Sequence, residues 1–191
     1  EHTIDTSLLT EGGFVLDAGC RNFAFSKNIA SRGCYVLAID ADPSIEGPKE
    51  IKNLFFQNMA ITHTGGDKFF LMHDNPEARH VVYEGVSKFP RIKVPSFTIL
   101  QLMERFEVKH WDAVKLDVEG SEYDILENWP GPIAEQISIE FHEHCGQRPK
   151  QLYASILAHL GQWYRVERHV LEEKHCAGPN YWDSLFVLNG K

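Results

Sequence analysis

The stretch from Phe14 to Ser26 reads Phe-Val-Leu-Asp-Ala-Gly-Cys-Arg-Asn-Phe-Ala-Phe-Ser, and it constrains the fold more than any other. Phe14 to Leu16 form a buried strand, Asp17 to Arg21 a tight turn, and a helix starts at Asn22. A parallel strand that enters a helix N-terminus through small residues is where an α/β sheet binds a nucleotide-like ligand. A dinucleotide turn needs glycine at its first position, so that a pyrophosphate can lie against bare backbone. Here that position is Asp17. Its carboxylate repels a diphosphate, which argues against a nicotinamide oxidoreductase, and suits a ligand carrying positive charge.

The rest of the chain repeats the pattern. Residues 1–12 read as a lead-in, and the first helix stops at Gly33. Tyr35 to Ile39 is a second all-apolar strand, ending at Asp40. Such strands, separated by helices, form a parallel sheet covered on both faces. Pro43 to Asn53 reads as a turn with a short helix, and Leu54 to Ile61 as a third strand. Lys68 to Met72 is a short strand, and His73 to Arg91 is irregular, with the character of a loop over a site. Ser96 is the expected N-cap of a helix from Phe97 to Glu107. Trp111 to Asp117 is a fourth strand, and a turn at Val118 to Glu122 leads into a helix reaching Asn128. Gln136 to His142 is a fifth strand, and Pro149 to Leu160 a helix. Trp163 to Leu171 and Ser184 to Leu188 close the chain as strands joined by a turn-rich loop. The expectation is one domain over residues 1–191, with 73–95 as an irregular region.

The net charge of −8 argues against a broad phosphate-tracking surface and so against a nucleic-acid partner. No run is long and apolar enough to span a membrane. The first residue is Glu1, not Met, which reads as a fragment or processed form. Cys20, Cys34, Cys145 and Cys176 are scattered, without zinc spacing, as in a reduced cytoplasmic protein.

Lys115 to Glu122 reads Lys-Leu-Asp-Val-Glu-Gly-Ser-Glu. It resembles the Lys-Ile-Asp-Val-Glu-Gly-x-Glu signature of the FkbM family of S-adenosylmethionine (SAM)-dependent O-methyltransferases. Val15 to Gly19, Ala38 to Pro43, Asn58 to Ile61, Val94 to Leu102 and Ile139-Glu140 resemble the family's other segments in the same order. The resemblance covers roughly residues 13 to 188. It implies an α/β, Rossmann-like class I methyltransferase fold: a mostly parallel sheet, helices on both faces and an antiparallel last strand. Its implied activity is transfer of a methyl group to a hydroxyl of a sugar or other small natural product. Two departures stand out. Phe23 occupies a position where the family usually has glycine, and Cys20 and Arg21 replace small residues. Phe23 either narrows the cofactor pocket or points into the core, and Arg21 is expected in solvent. A catalytically degenerate binding or scaffold domain is the alternative reading.

Candidate site residues follow from the strand ends, outside which ligands bind in such a sheet. For the cofactor, SAM, they are Asp17, Gly19, Cys20, Asn22, Asp40, Ala41, Asn58, Met59, Ala60 and Asp117. Asp40 is placed to accept both ribose hydroxyls, and Asn58 to Ala60 to flank adenine. Several carboxylates at strand ends make an acidic crevice, because buried carboxylates are costly without partners. Asp117, Glu119, Glu140 and His142 are the candidates for taking the hydroxyl proton. Of Asp117 and Glu119, one is expected to face the cofactor and the other the substrate or the turn. Lys115 is expected to pair structurally with a carboxylate. His142-Glu143-His144 with Asp117 and Glu140 offers ligands for zinc or magnesium, but no metal is favoured. Tyr181-Trp182 is a lesser candidate for flanking substrate.

Overall fold

The computed structural model describes residues 3–76, 79–82, 88–142, 149–172 and 181–190. After a short 3-10 helix, Thr6–Leu8, the chain forms β1 (Phe14–Ala18), α1 (Ala24–Ala30), β2 (Tyr35–Asp40), β3 (Leu54–Asn58) and β4 (Ala60–Ile61). Then come β5 (Gly66–Leu71), β6 (Val81–Val82), β7 (Arg91–Phe97), α2 (Ile99–Arg105), β8 (Ala113–Leu116) and α3 (Glu122–Glu127). The chain closes with β9 (Gln136–His142), α4 (Pro149–Leu160), β10 (Tyr164–Glu172) and β11 (Tyr181–Leu188).

The main sheet has seven strands in the order β10-β11-β9-β8-β1-β2-β3. The pairs among β9, β8, β1, β2 and β3 are parallel, whereas β11 runs antiparallel to both β9 and β10. This is the expected mostly parallel α/β sheet. Strand alternation sends Val15, Val36 and Ala113 into one core with Ile29 of α1. It sends Leu16, Leu37 and Val114 into a larger core with Leu102 of α2, Leu126 of α3 and Ile156 of α4. The parallel strands are therefore covered on both faces, which explains their near-continuous apolar sequences. Trp111 and Trp129 are fully enclosed or nearly so in the larger core, at 0% and 2% exposure.

A second sheet, β4-β7-β5-β6, is inserted between β3 and α2. It corrects three expectations. The third strand breaks at Met59: β3 stays in the main sheet and β4 pairs in parallel with β7 of the insert. The region 73–95 holds β6 and most of β7, so it is not irregular throughout. Ser96 does not cap α2; it is a buried residue of β7 whose hydroxyl meets that of Thr62 at 2.6 Å. Thr98 caps instead, as a capping box with Gln101. No helix forms between Pro43 and Asn53. The Tyr181–Asp183 stretch, read as loop, belongs to β11. The loop residues 173–180 lie outside the described residues.

Candidate functional site

Two turns meet at the carboxyl ends of β1 and β8, and their closeness explains the glycine between them. Gly19 has φ +80, and a Cβ built there would lie 1.8 Å from the Asp117 carbonyl oxygen. Any side chain would force the turns apart. Asp117 N–H donates to Ala18 O at 3.0 Å.

Below this contact lies a buried charge pair. Register places Asp17 opposite Lys115 on neighbouring strands. Lys115 Nζ lies 3.0 Å from Asp17 Oδ1 and 3.3 Å from Asp117 Oδ2, and donates to Gly19 O at 2.9 Å. Ser26 Oγ donates to Asp17 Oδ2 at 2.5 Å. Burial alone would lower the lysine pKa, but Asp17 and Asp117 hold it above its ordinary value. Asp17 is wholly buried. Its carboxylate is thus committed to Lys115 and Ser26 beneath the turn and is not presented to a ligand. The expectation that it meets a cationic ligand directly is corrected accordingly, and Lys115 has the structural pairing expected of it.

The β1–α1 turn closes around Phe23, which has φ +59. This left-handed backbone is the one glycine favours. The chain therefore keeps the turn shape of a glycine while carrying a ring. The ring is 6% exposed and packs edge-on against Phe56 at 5.2 Å. Of the two placements considered, the core is the one observed. Arg21 is exposed, as expected, and its N–H donates to Asp40 Oδ2 at 3.0 Å. Asn22 is exposed and accepts from Ala24 N–H. Cys20 is buried, and burial followed by the nearby Asp17 pushes its thiol pKa far up, so it is a packing residue.

At the end of β2, Asp40 is half-buried, and its Oδ1 accepts from Asp42 N–H at 2.9 Å. Burial raises its pKa, and the Asp42 and Arg21 N–H groups offset this in part. Asn58 is exposed and its amide donates to Asp42 O at 2.9 Å. Met59 and Ala60 are buried, the first in the larger core and the second in the core of the insert, against which Ala41 also packs.

The ends of β8 and β9 carry the acid–base cluster. His142 is buried, and its Nε2 faces three carboxylates: Glu140 Oε1 at 3.5 Å, Glu119 Oε2 at 3.6 Å and Asp117 Oδ1 at 3.8 Å. Its Nδ1 lies 3.0 Å from Glu122 Oε1. Burial disfavours the charged ring, but Glu122, Glu140 and Glu119 outweigh it and push its pKa up to about 11. The four candidates Asp117, Glu119, Glu140 and His142 are therefore brought together. Asp117 and Glu119 do not divide between opposite directions. Glu119 has φ +54, and this left-handed residue turns its carboxylate back toward the same ring nitrogen.

Glu122 was not among the candidates. It is wholly buried, and its two oxygens accept from Val118 N–H at 2.9 Å and Gly120 N–H at 2.8 Å. It clamps the turn and orients His142 at once. The signal was present in the sequence: a glutamate at the apolar-facing start of a helix must have partners if buried. Asp117, Glu140 and His142 each offer one donor atom, all within 4.8 Å of one another, and could hold a divalent cation. His144, of the His-x-His reading, lies outside the described residues, as do the Tyr181 and Trp182 side chains.

The family profile described as methyltransferase FkbM domain matches residues 19–168. The chain belongs to the FkbM methyltransferase family. It is a SAM-dependent methyltransferase of class I fold. Among solved structures, fibrillarin from Methanococcus jannaschii, a pre-rRNA processing protein, is 13% identical over 100% of this chain and 72% of that one, with TM-score 0.57. Magnesium protoporphyrin IX methyltransferase from Synechocystis PCC 6803, solved with bound SAM, is 14% identical over 93% and 71%, with TM-score 0.52. An rRNA methylase from Streptococcus thermophilus is 11% identical over 96% and 91%, with TM-score 0.52. At these identities the likeness concerns the fold. A search of curated proteins finds no match. The FkbM signature spans Lys115 to Glu122, so its charged members are the lysine below the turns and the carboxylates around His142.

Proposed function

We propose that this FkbM protein is an O-methyltransferase acting on a hydroxyl of a small molecule, a sugar or other natural product. The observation that carries this reading is the convergence of Asp117, Glu119 and Glu140 on His142 at the strand ends. SAM supplies a methyl group already activated on sulfonium. The residues present fit it: Asp40 stands half-buried at the end of β2 with a carboxylate suited to ribose hydroxyls, and the crevice is acidic. The chain's work is then to align the acceptor oxygen and to accept its proton. With its pKa near 11, His142 holds a proton at neutral pH and does not serve as the base. Asp117 is tied to Lys115. The proton goes to Glu119 or Glu140, whose carboxylates flank the same ring nitrogen and have no tie to Lys115 in its ion pairs.

The degenerate-scaffold alternative rested in part on Phe23, whose ring lies in the core. The net charge of −8 supports a small-molecule acceptor over nucleic acid. Among the described residues no helix is long and apolar enough to cross a membrane. Cys20 and Cys34 are buried free thiols, which supports a reducing, cytoplasmic setting. The test is methyl transfer from labelled SAM to a panel of hydroxylated acceptors, with magnesium and with chelator. Labelled product supports the reading. Transfer to amines or RNA alone overturns the acceptor class.

A further inference from the structure

Arg79 belongs to no motif and lies 37 positions from the residue it binds. Its Nη1 donates to Asp42 Oδ2 at 2.7 Å, and both side chains are largely buried, at 20% and 10% exposure. Its Nε donates to His73 O at 3.0 Å, which fixes the guanidinium to the insert. Asp42 is the hub of the turn after β2. Its N–H donates to Asp40 Oδ1, its Oδ1 accepts from Ser44 N–H and Oγ, and its carbonyl accepts from Asn58. A second tie runs beside the ion pair. Ala41, between the two aspartates, packs with Met72 and Val81 against Ala60, Phe70 and Val94 of the insert. The insert and the Asp40 turn therefore share one ionic and one apolar contact. An ion pair shielded to this degree, with its remaining oxygen bonded by Ser44, holds geometry better than an exposed pair does.

We propose that Arg79 is a cofactor-positioning residue: by gripping Asp42 it fixes the turn that presents Asp40, and it couples cofactor binding to the order of the inserted sheet. This rests on the proposed reading that Asp40 holds the cofactor ribose. Arg79 acts through Asp42 and Asp40 and needs no contact of its own with the ligand. Coupling is reciprocal, so a cofactor that favours the gripped turn must also tighten the insert.

The test uses calorimetric titration with S-adenosylhomocysteine and amide hydrogen exchange. Asp40→Ala should bind at least tenfold more weakly than the parent. Arg79→Ala should bind about five- to tenfold more weakly, with Arg79→Lys in between and a melt that shows each variant folded. Arg79→Ala combined with Asp42→Ala should bind no more weakly than Asp42→Ala alone, because Arg79 acts through that carboxylate. In the parent the ligand should slow exchange in residues 66–71 and 81–82, and in Arg79→Ala it should not. A merely structural arginine would lower the melt without removing that ligand-dependent protection. Parent-like binding or retained protection in Arg79→Ala, with Asp40→Ala weakened, overturns the inference alone. Parent-like binding in Asp40→Ala overturns the ribose reading and the inference with it.

Discussion

Lys115 Nζ lies 3.0 Å from Asp17 Oδ1, and the two residues face each other in register across β1 and β8. One ammonium thereby neutralises the carboxylate under the first turn, and it also reaches Asp117 above, at 3.3 Å. Lys115→Met should remove the charge with little change in volume and leave two carboxylates facing each other. Breaking a buried pair this way costs about 3–5 kcal/mol. Denaturant unfolding near neutral pH should show that loss. The raised lysine pKa means that its stabilisation is fully present below the ordinary lysine value and is lost as pH rises past it.

Phe23→Gly would restore the residue that the left-handed backbone favours, gaining about 1 kcal/mol of relieved strain. It would also empty the ring's place against Phe56. Phe→Ala changes in cores cost about 3–5 kcal/mol. The net effect should be destabilisation by about 2–4 kcal/mol, with no gain in cofactor affinity. A thermal melt and a ligand titration on the same sample check both parts.

Much of this was legible in the sequence, and the losses have physical causes. Gln136–His142 and Pro149–Leu160 match their expected bounds because one alternates with period two in sequence and the other opens on Pro149 and stops before Gly161. Phe23 broke a glycine pattern without changing the turn, which only the backbone angle reveals. The strand Arg91–Phe97 was read as the end of an irregular region running into a helix, because its charges and Pro95 do not look like sheet; Pro95 is tolerated there because the short β4 pairs with Ser96 and Phe97 and stops short of it. Asp17 stands out in the sequence, but a sequence does not show that its partner is Lys115 rather than a ligand. Glu122 was missed because the signal in the sequence depends on its burial, which the packing of α3 decides, and its oxygens then meet the turn amides.

The four carboxylates around His142 set its charge. A pKa raised from the ordinary 6.5 to about 11 means that the ring's stabilising contribution is complete below about pH 6.5 and is lost as pH rises through about 11. With chelator present, nuclear magnetic resonance should find the imidazole still protonated at pH 8. Glu122→Gln should bring the titration down by more than one unit, as a charged hydrogen-bond partner is lost. A His142 that titrates near 6.5 in the parent would restore it as a candidate base.

Gly19→Ala should be far more damaging than its size suggests. Its Cβ would meet the Asp117 carbonyl oxygen at 1.8 Å and would need φ +80. The two turns must separate, and a displacement of this order costs about a hundredfold in a positioned site. The expected result is a folded protein with cofactor affinity reduced at least tenfold, measured by titration alongside circular dichroism. Parent-like affinity would mean that the turn contact is incidental.

The most direct test of the central claim is calorimetric titration of the protein with SAM and S-adenosylhomocysteine, repeated on Asp40→Ala. A SAM-dependent methyltransferase with its site at the strand ends predicts saturable one-to-one binding of both ligands by the parent and a loss of at least tenfold in the variant. No heat of binding from a parent that melts cooperatively would contradict it.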